Sequence, residues 1–130
     1  MSYVWNIPSN EELARIPRLG SQLEDPERET KDIMIYLHFF MGACDWFIAE
    51  HDGDDMFYGF ACLGDSQTAE WGSISFSELM ELEEFVPMVD EQSGEKTEIP
   101  FEVDHDLYWK PKKFGDIERV QEILAAQGRG

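Results

Sequence analysis

The chain has 130 residues, with 42% apolar and 13% aromatic content. That length suits a single domain, and that composition supplies enough apolar material for a core, which excludes wholesale disorder. Asp and Glu number 28 against ten Lys and Arg, a net charge of −18, which sets the chain against proteins that hold nucleic acid by neutralising phosphates and against anionic membrane surfaces.

In chain order, the first expected element is a helix over Asn10–Ile16, opened by a capping box of Ser9 and Glu12 and stopped by Pro17. The polar stretch Gly20–Lys31 reads as loop around Pro26. Ile33–Phe40 then alternates apolar residues on both faces, which predicts a central strand covered on both sides. Gly42 breaks it. Cys44–Glu50 follows as a second strand, with Cys44, Trp46 and Ile48 on one face. Asp52-Gly53 signals a hairpin, Met56–Leu63 a third strand, Gly64-Asp65-Ser66 another turn and Glu70–Phe76 a fourth strand. Connections this short allow only antiparallel neighbours.

Ser75 and Glu78 form a second capping-box pattern, and the spacing of Phe76, Leu79 and Leu82 predicts a helix over Phe76–Glu84 with Glu81 and Glu84 turned outward. Phe85–Asp90 and Glu98–Val103 are weaker strands around a polar turn at Glu91–Lys96, and Asp106–Lys110 reads as a short aromatic strand ended by Pro111. Ile117, Val120, Ile123 and Leu124 form the buried stripe of a last helix over Asp116–Gln127. The expected fold is α+β: one domain over 1–130, an antiparallel β-meander with helices packed on it. No apolar run reaches the ~20 residues that span a bilayer. The start lacks the pattern of a secretory signal, and Cys44 and Cys62 are too few for a disulfide scaffold, so the expected compartment is the cytoplasm and the expected thiols are reduced.

Three segments resemble a known family. Trp46-Phe47-Ile48-Ala49-Glu50-His51-Asp52-Gly53-Asp54-Asp55-Met56-Phe57-Tyr58-Gly59 looks like its W-x-x-x-E-x-D-G-x-D-x-F-x-G core. Glu70-Trp71-Gly72-Ser73-Ile74-Ser75-Phe76-Ser77-Glu78-Leu79 resembles its E-x-G-x-F-S-L-x-E-L segment. Phe101-Glu102-Val103-Asp104-His105-Asp106-Leu107-Tyr108-Trp109-Lys110-Pro111 resembles its I-E-R-D-L-Y-F-x-P segment. The family is the bacterial domain of unknown function 2958, and the resemblance covers residues 16–111. His105 stands where the family has Arg, and Val103 with Asp104 makes that stretch more acidic. The resemblance implies a small α+β domain of plasmids, conjugative elements and phages. It carries no activity and no catalytic residue.

Known chemical patterns find little support. The loop from Glu50 to Asp55 gathers four carboxylates and His51, but it lacks the EF-hand spacing, and a hairpin turn with solvated acids accounts for it. His38, His51, His105 and the two cysteines have no zinc-ligand spacing. Cys44 and Cys62 read as small buried hydrophobes. There is no G-x-S-x-G and no Gly-rich phosphate loop, so neither a cofactor, a metal nor a catalytic residue is assigned.

Charge distribution is the most informative pattern. From Asp32 to Glu95 the chain holds fifteen of its 28 acids and none of its ten bases. This asymmetry speaks to partners and not to fold. A folded chain of this size exposes about 7,000 Å². If half of that carries the fifteen acids, the average charge density is about half that of duplex DNA. Local clusters are therefore needed for an acidic surface that mimics DNA, and Glu50, Asp52, Asp54, Asp55 and Glu78, Glu81, Glu83, Glu84 supply two. The expectation is an accessory protein that binds a basic protein surface, such as a host nucleic-acid-binding or defence protein, without itself binding nucleic acid. The alternatives are a small hydrolase or metal-dependent enzyme built on loop 50–55, and an adaptor without nucleic-acid mimicry.

Overall fold

The structure, a computed structural model, describes residues 7–128, with side chains omitted at 83–88 and 99–101. It is α+β, and its centre is a five-stranded antiparallel sheet. The strands are β1 (Met34–Ile35), β2 (Leu37–Met41), β3 (Cys44–His51), β4 (Met56–Leu63), β5 (Glu70–Ser75), β6 (Glu83–Val89), β7 (Lys96–Glu102), β8 (Asp104–His105) and β9 (Lys112–Lys113). The helices are α1 (Asn10–Arg15), α2 (Phe76–Glu81) and α3 (Glu118–Ala126). The main sheet runs β5-β4-β3-β2-β8, so the four successive strands form the expected meander, with β5 at one edge. β6 pairs with β7 as a separate hairpin, and β1 pairs with β9.

Strand alternation divides the core in two. Phe47, Ala49, Phe60 and Cys62 face α3, where they meet Phe114, Ile117, Val120 and Ile123. Leu37, Phe39, Trp46, Ile48 and Phe57 face the other way, against Ile16, Leu79 and Val103. Both faces of the sheet are covered, as the doubly apolar second and third strands require. Cys62 is fully buried in the α3 side, and Cys44 is half-buried on the other. Gly59 is required by the close strand pairing: a Cβ there would lie 2.1 Å from the Phe47 carbonyl oxygen. Gly53, at φ +85°, supplies the left-handed residue of the β3–β4 turn.

Three elements differ from the sequence expectation by more than one or two residues at an end. The strand expected over Ile33–Phe40 is broken at Tyr36, whose N–H bonds the Ile48 carbonyl at 2.8 Å. Ile33 and Ile35 pack on the α3 side and Leu37 and Phe39 on the opposite side, so the chain rolls over at Tyr36 to serve both cores. The helix expected over Phe76–Glu84 ends at Glu81. Leu82 takes an extended conformation as its C-cap, and Glu83 and Glu84 begin β6, where pairing with Glu102 and Phe101 replaces helical bonds. The strand expected over Asp106–Lys110 is a turn, because the Asp106 carboxylate accepts from the Tyr108 N–H at 3.1 Å and its carbonyl accepts from the Trp109 N–H at 3.2 Å. At α1 the capping box forms fully, whereas at α2 the Ser75 hydroxyl accepts from the Glu78 N–H at 3.3 Å. Among the described residues, no helix is long and apolar enough to cross a membrane.

Candidate functional site

The structure separates the eight acidic candidates into different kinds of residue. Glu50 does not belong to an exposed field: it is 2% exposed. Between Ile48 and Glu50 the β3–β4 register slips by one residue, and Glu50 turns toward the N-terminal loop. Its carboxylate there accepts from the backbone N–H groups of Gly20, Gln22 and Leu23 at 2.8, 2.7 and 2.8 Å. Gln22 completes the anchor. Its amide nitrogen donates to the carbonyls of Met34 and Ala49, and its amide oxygen accepts from the Met34 N–H. Glu50 is an internal staple, and its sequence neighbours gave no sign of that.

Asp52 and Asp55 are likewise committed to the turn. Asp52 accepts from the N–H groups of Asp54 and Met56 at 2.8 and 3.0 Å, which holds its carboxyl below the usual carboxylate range. Asp55 is half-buried and accepts from the Ser77 hydroxyl at 2.7 Å, the Ser75 hydroxyl at 2.8 Å and the Ser77 N–H at 2.9 Å. The Ser77 and Ser75 hydroxyls lower its pKa. The Phe76 N–H donates to the Asp55 carbonyl at 2.7 Å. Asp55 therefore clamps the β3–β4 turn onto the start of α2, and two acidic segments more than twenty residues apart become one surface.

On that surface Asp52, Asp54, Glu78 and Glu81 are exposed. Glu70, in β5, is exposed as well and was not among the sequence candidates. The side chains of Glu83 and Glu84 lie outside the described residues. Between β5 and α2 runs a groove of about 490 Å³, floored by Trp46, Ala61 and Leu79 and bordered by Glu70, Glu78 and Leu82. Trp46 is 5% exposed, whereas Leu63 and Leu82, on the groove's border, are 64% and 40% exposed. The carboxylates of the turn do not converge. Among the described residues, no three His, Cys, Asp or Glu side chains are grouped to hold a metal ion.

A second constellation lies on the opposite face. His38 Nε2 is 2.9 Å from Asp45 Oδ1, and Asp45 Oδ2 accepts from Arg119 Nε at 2.9 Å. The His38 ring stacks on Phe47 at 4.7 Å, and its Nδ1 is 3.5 Å from Asp106 Oδ2. Burial raises the Asp45 pKa, but the hydrogen bonds from His38 and Arg119 outweigh it, and the net shift is downward. This set joins β2, β3, α3 and the turn after β8. A cavity of about 480 Å³ adjoins it, lined among the described residues by His38, Asp106, Trp109 and Arg119, and each His38 ring nitrogen faces a carboxylate. The arrangement braces the fold. The pairing was legible in principle: a turn at Gly42 places His38 and Asp45 diagonally on the same face of a hairpin.

His105 is more deeply buried than His38 or His51, at 3% exposed, with Nε2 3.5 Å from Glu12 Oε2 and the ring 5.4 Å from that of Phe39. Burial lowers its pKa from the ordinary 6.5, against opposing pulls from Glu12 and Asp106. A lowered histidine pKa means that the unfolded chain binds the proton more readily. The contribution of neutral His105 is intact above pH 6.5 and is lost as the pH falls from there through the folded-state value. Melting curves between pH 7.5 and pH 5 should show a falling Tm in wild type, with a shallower fall in His105→Phe. Equal slopes would remove His105 from the pH response.

Neither the family models, the curated proteins nor the solved structures contain a match to this chain.

Proposed function

We propose that the protein binds a basic macromolecular surface through the exposed acids of the β3–β4 turn and α2, and does not turn over a small substrate. The observation that carries this reading is the base-free stretch from Asp32 to Glu95, four of whose exposed acids, Asp52, Asp54, Glu78 and Glu81, are gathered by the Asp55 clamp. Carboxylates gathered on one exposed surface attract a basic groove, repel nucleic acid and set a fast, salt-sensitive encounter. The partner class that suits such an array is a nucleic-acid-binding or defence protein of a bacterial host, with carboxylates standing where phosphates otherwise stand. With Glu50 internal and Asp55 occupied, the array is a local patch, smaller than the full set of sequence candidates.

Immobilised protein incubated with bacterial lysate supplies the test. Retention of a nucleic-acid-binding protein at low salt and its release at high salt supports the reading, since screening shortens the reach of exposed charges. Partners that stay bound at high salt, or no partner at all, count against it.

A further inference from the structure

The geometry points to strand addition: the open edge of β5 takes up an extended, basic protein segment whose apolar side chains enter the groove between β5 and α2. This inference rests on the basic-partner reading and adds a mode of recognition to it.

Four observations carry it. β5 ends the sheet, so alternate residues of Glu70–Ile74 direct their N–H and C=O groups away from β4, and none of the loop, turn or cap backbone bonds among the described residues reaches that edge, whereas Ser75 is taken up as the N-cap of α2. An unpaired edge of that kind is a template for another strand. The groove beside the edge has an apolar floor at Trp46, Ala61 and Leu79, with Leu63 and Leu82 exposed at its border. Glu70 lies at the start of β5 and Glu78 in α2 beyond its other end, so acids mark both ends of the groove. Gly72 occupies the middle of β5, and a Cβ there would meet nothing within 4 Å. Neither packing nor a positive φ demands a glycine at this position. A bare glycine at an edge leaves room for an approaching backbone.

Charge selects the occupant. A second copy pairing β5 with β5 would set Glu70 and Glu78 of each copy against a chain of net −18, and nucleic acid is repelled in the same way. The segment that fits presents basic residues at its ends and apolar residues between them on the groove side.

The probe is the capped peptide Lys-Thr-Val-Thr-Val-Thr-Lys, about the length of one strand, with hepta-lysine as the charge-only comparison. Binding to the full chain is read by tryptophan fluorescence. The mixed peptide should bind more tightly than hepta-lysine and lose at least about tenfold in affinity toward Gly72→Leu. Gly72→Leu should keep the wild-type Tm, because its Cβ enters open space. N-methylation of the Thr set and of the Val set should differ sharply, since only alternate amides of an added strand face the edge. Equal binding of both peptides, indifferent to Gly72→Leu and to the methylation pattern, overturns strand addition and leaves the basic-partner reading standing. No binding of either peptide also overturns it, and the lysate capture then decides the broader reading separately.

Discussion

Glu50→Ala should destabilise the protein by about 3–5 kcal/mol, more than any other single acidic substitution among residues 50–55. Three backbone N–H groups converge on this one carboxylate, and the Gln22 N–H is buried with it. Each donor left without a partner costs about 1–3 kcal/mol, and those of Gly20 and Leu23, only partly buried, recover some of that from water. The loss compares with a total stability of about 5–15 kcal/mol for a domain, and it corresponds to a fall in Tm on the order of 10–20 °C. Glu50→Gln should not rescue it, because its NH₂ group meets donors. Asp54→Ala provides the contrast: its exposed side chain accepts no bond from a described residue, so its Tm should stay within about 2 °C of wild type. Thermal unfolding of the three variants checks the ranking. Equal, small shifts would place Glu50 among the solvated acids.

The contrast between Glu50 and Asp54 also marks what was legible in the sequence. The meander was legible because Gly and Asp-Gly punctuate runs of period two, and Met56–Leu63 matches β4 residue for residue. The α3 stripe was legible because Val120 and Ile123 recur at helical spacing and are buried together. The end of α2 was not. Nothing local in Leu82-Glu83-Glu84 opposes a helix, and the helix stops because β6 must pair with β7, a contact nearly twenty residues away. The break at Tyr36 has the same origin, since a strand apolar on both faces gives no sign of where it passes from one core to the other. Glu50 was misplaced because an acid beside a polar turn looks solvated until the Gly20–Leu23 loop is laid over it. Residue type indicates charge, whereas burial depends on distant chain.

The largest functional effect should come from reversing the charge of the two exposed α2 acids. Glu78→Lys with Glu81→Lys changes the local field by four charges, within a stretch of chain from Asp32 to Glu95 that holds no Lys or Arg. Association with a captured basic partner should slow at least about tenfold at low salt, within the range that electrostatic steering supplies. The effect should shrink as salt rises, because the Debye length falls from ~30 Å at 0.01 M to ~8 Å at 0.15 M. Both side chains are exposed and carry no described hydrogen bond, so Tm should stay near that of wild type. The control is Glu27→Lys with Glu122→Lys, which alters net charge equally at exposed positions outside the acidic stretch.

Stopped-flow association of wild type and both double variants with the lysate-captured partner, across a salt series, tests the claim that the β3–β4 turn and α2 form the binding surface. The account predicts at least a tenfold slower low-salt rate for the α2 pair, less than about threefold for the control pair, and convergence of all three at high salt. Equal slowing by both pairs would contradict it, because net charge alone, without the surface gathered by Asp55, would then account for binding.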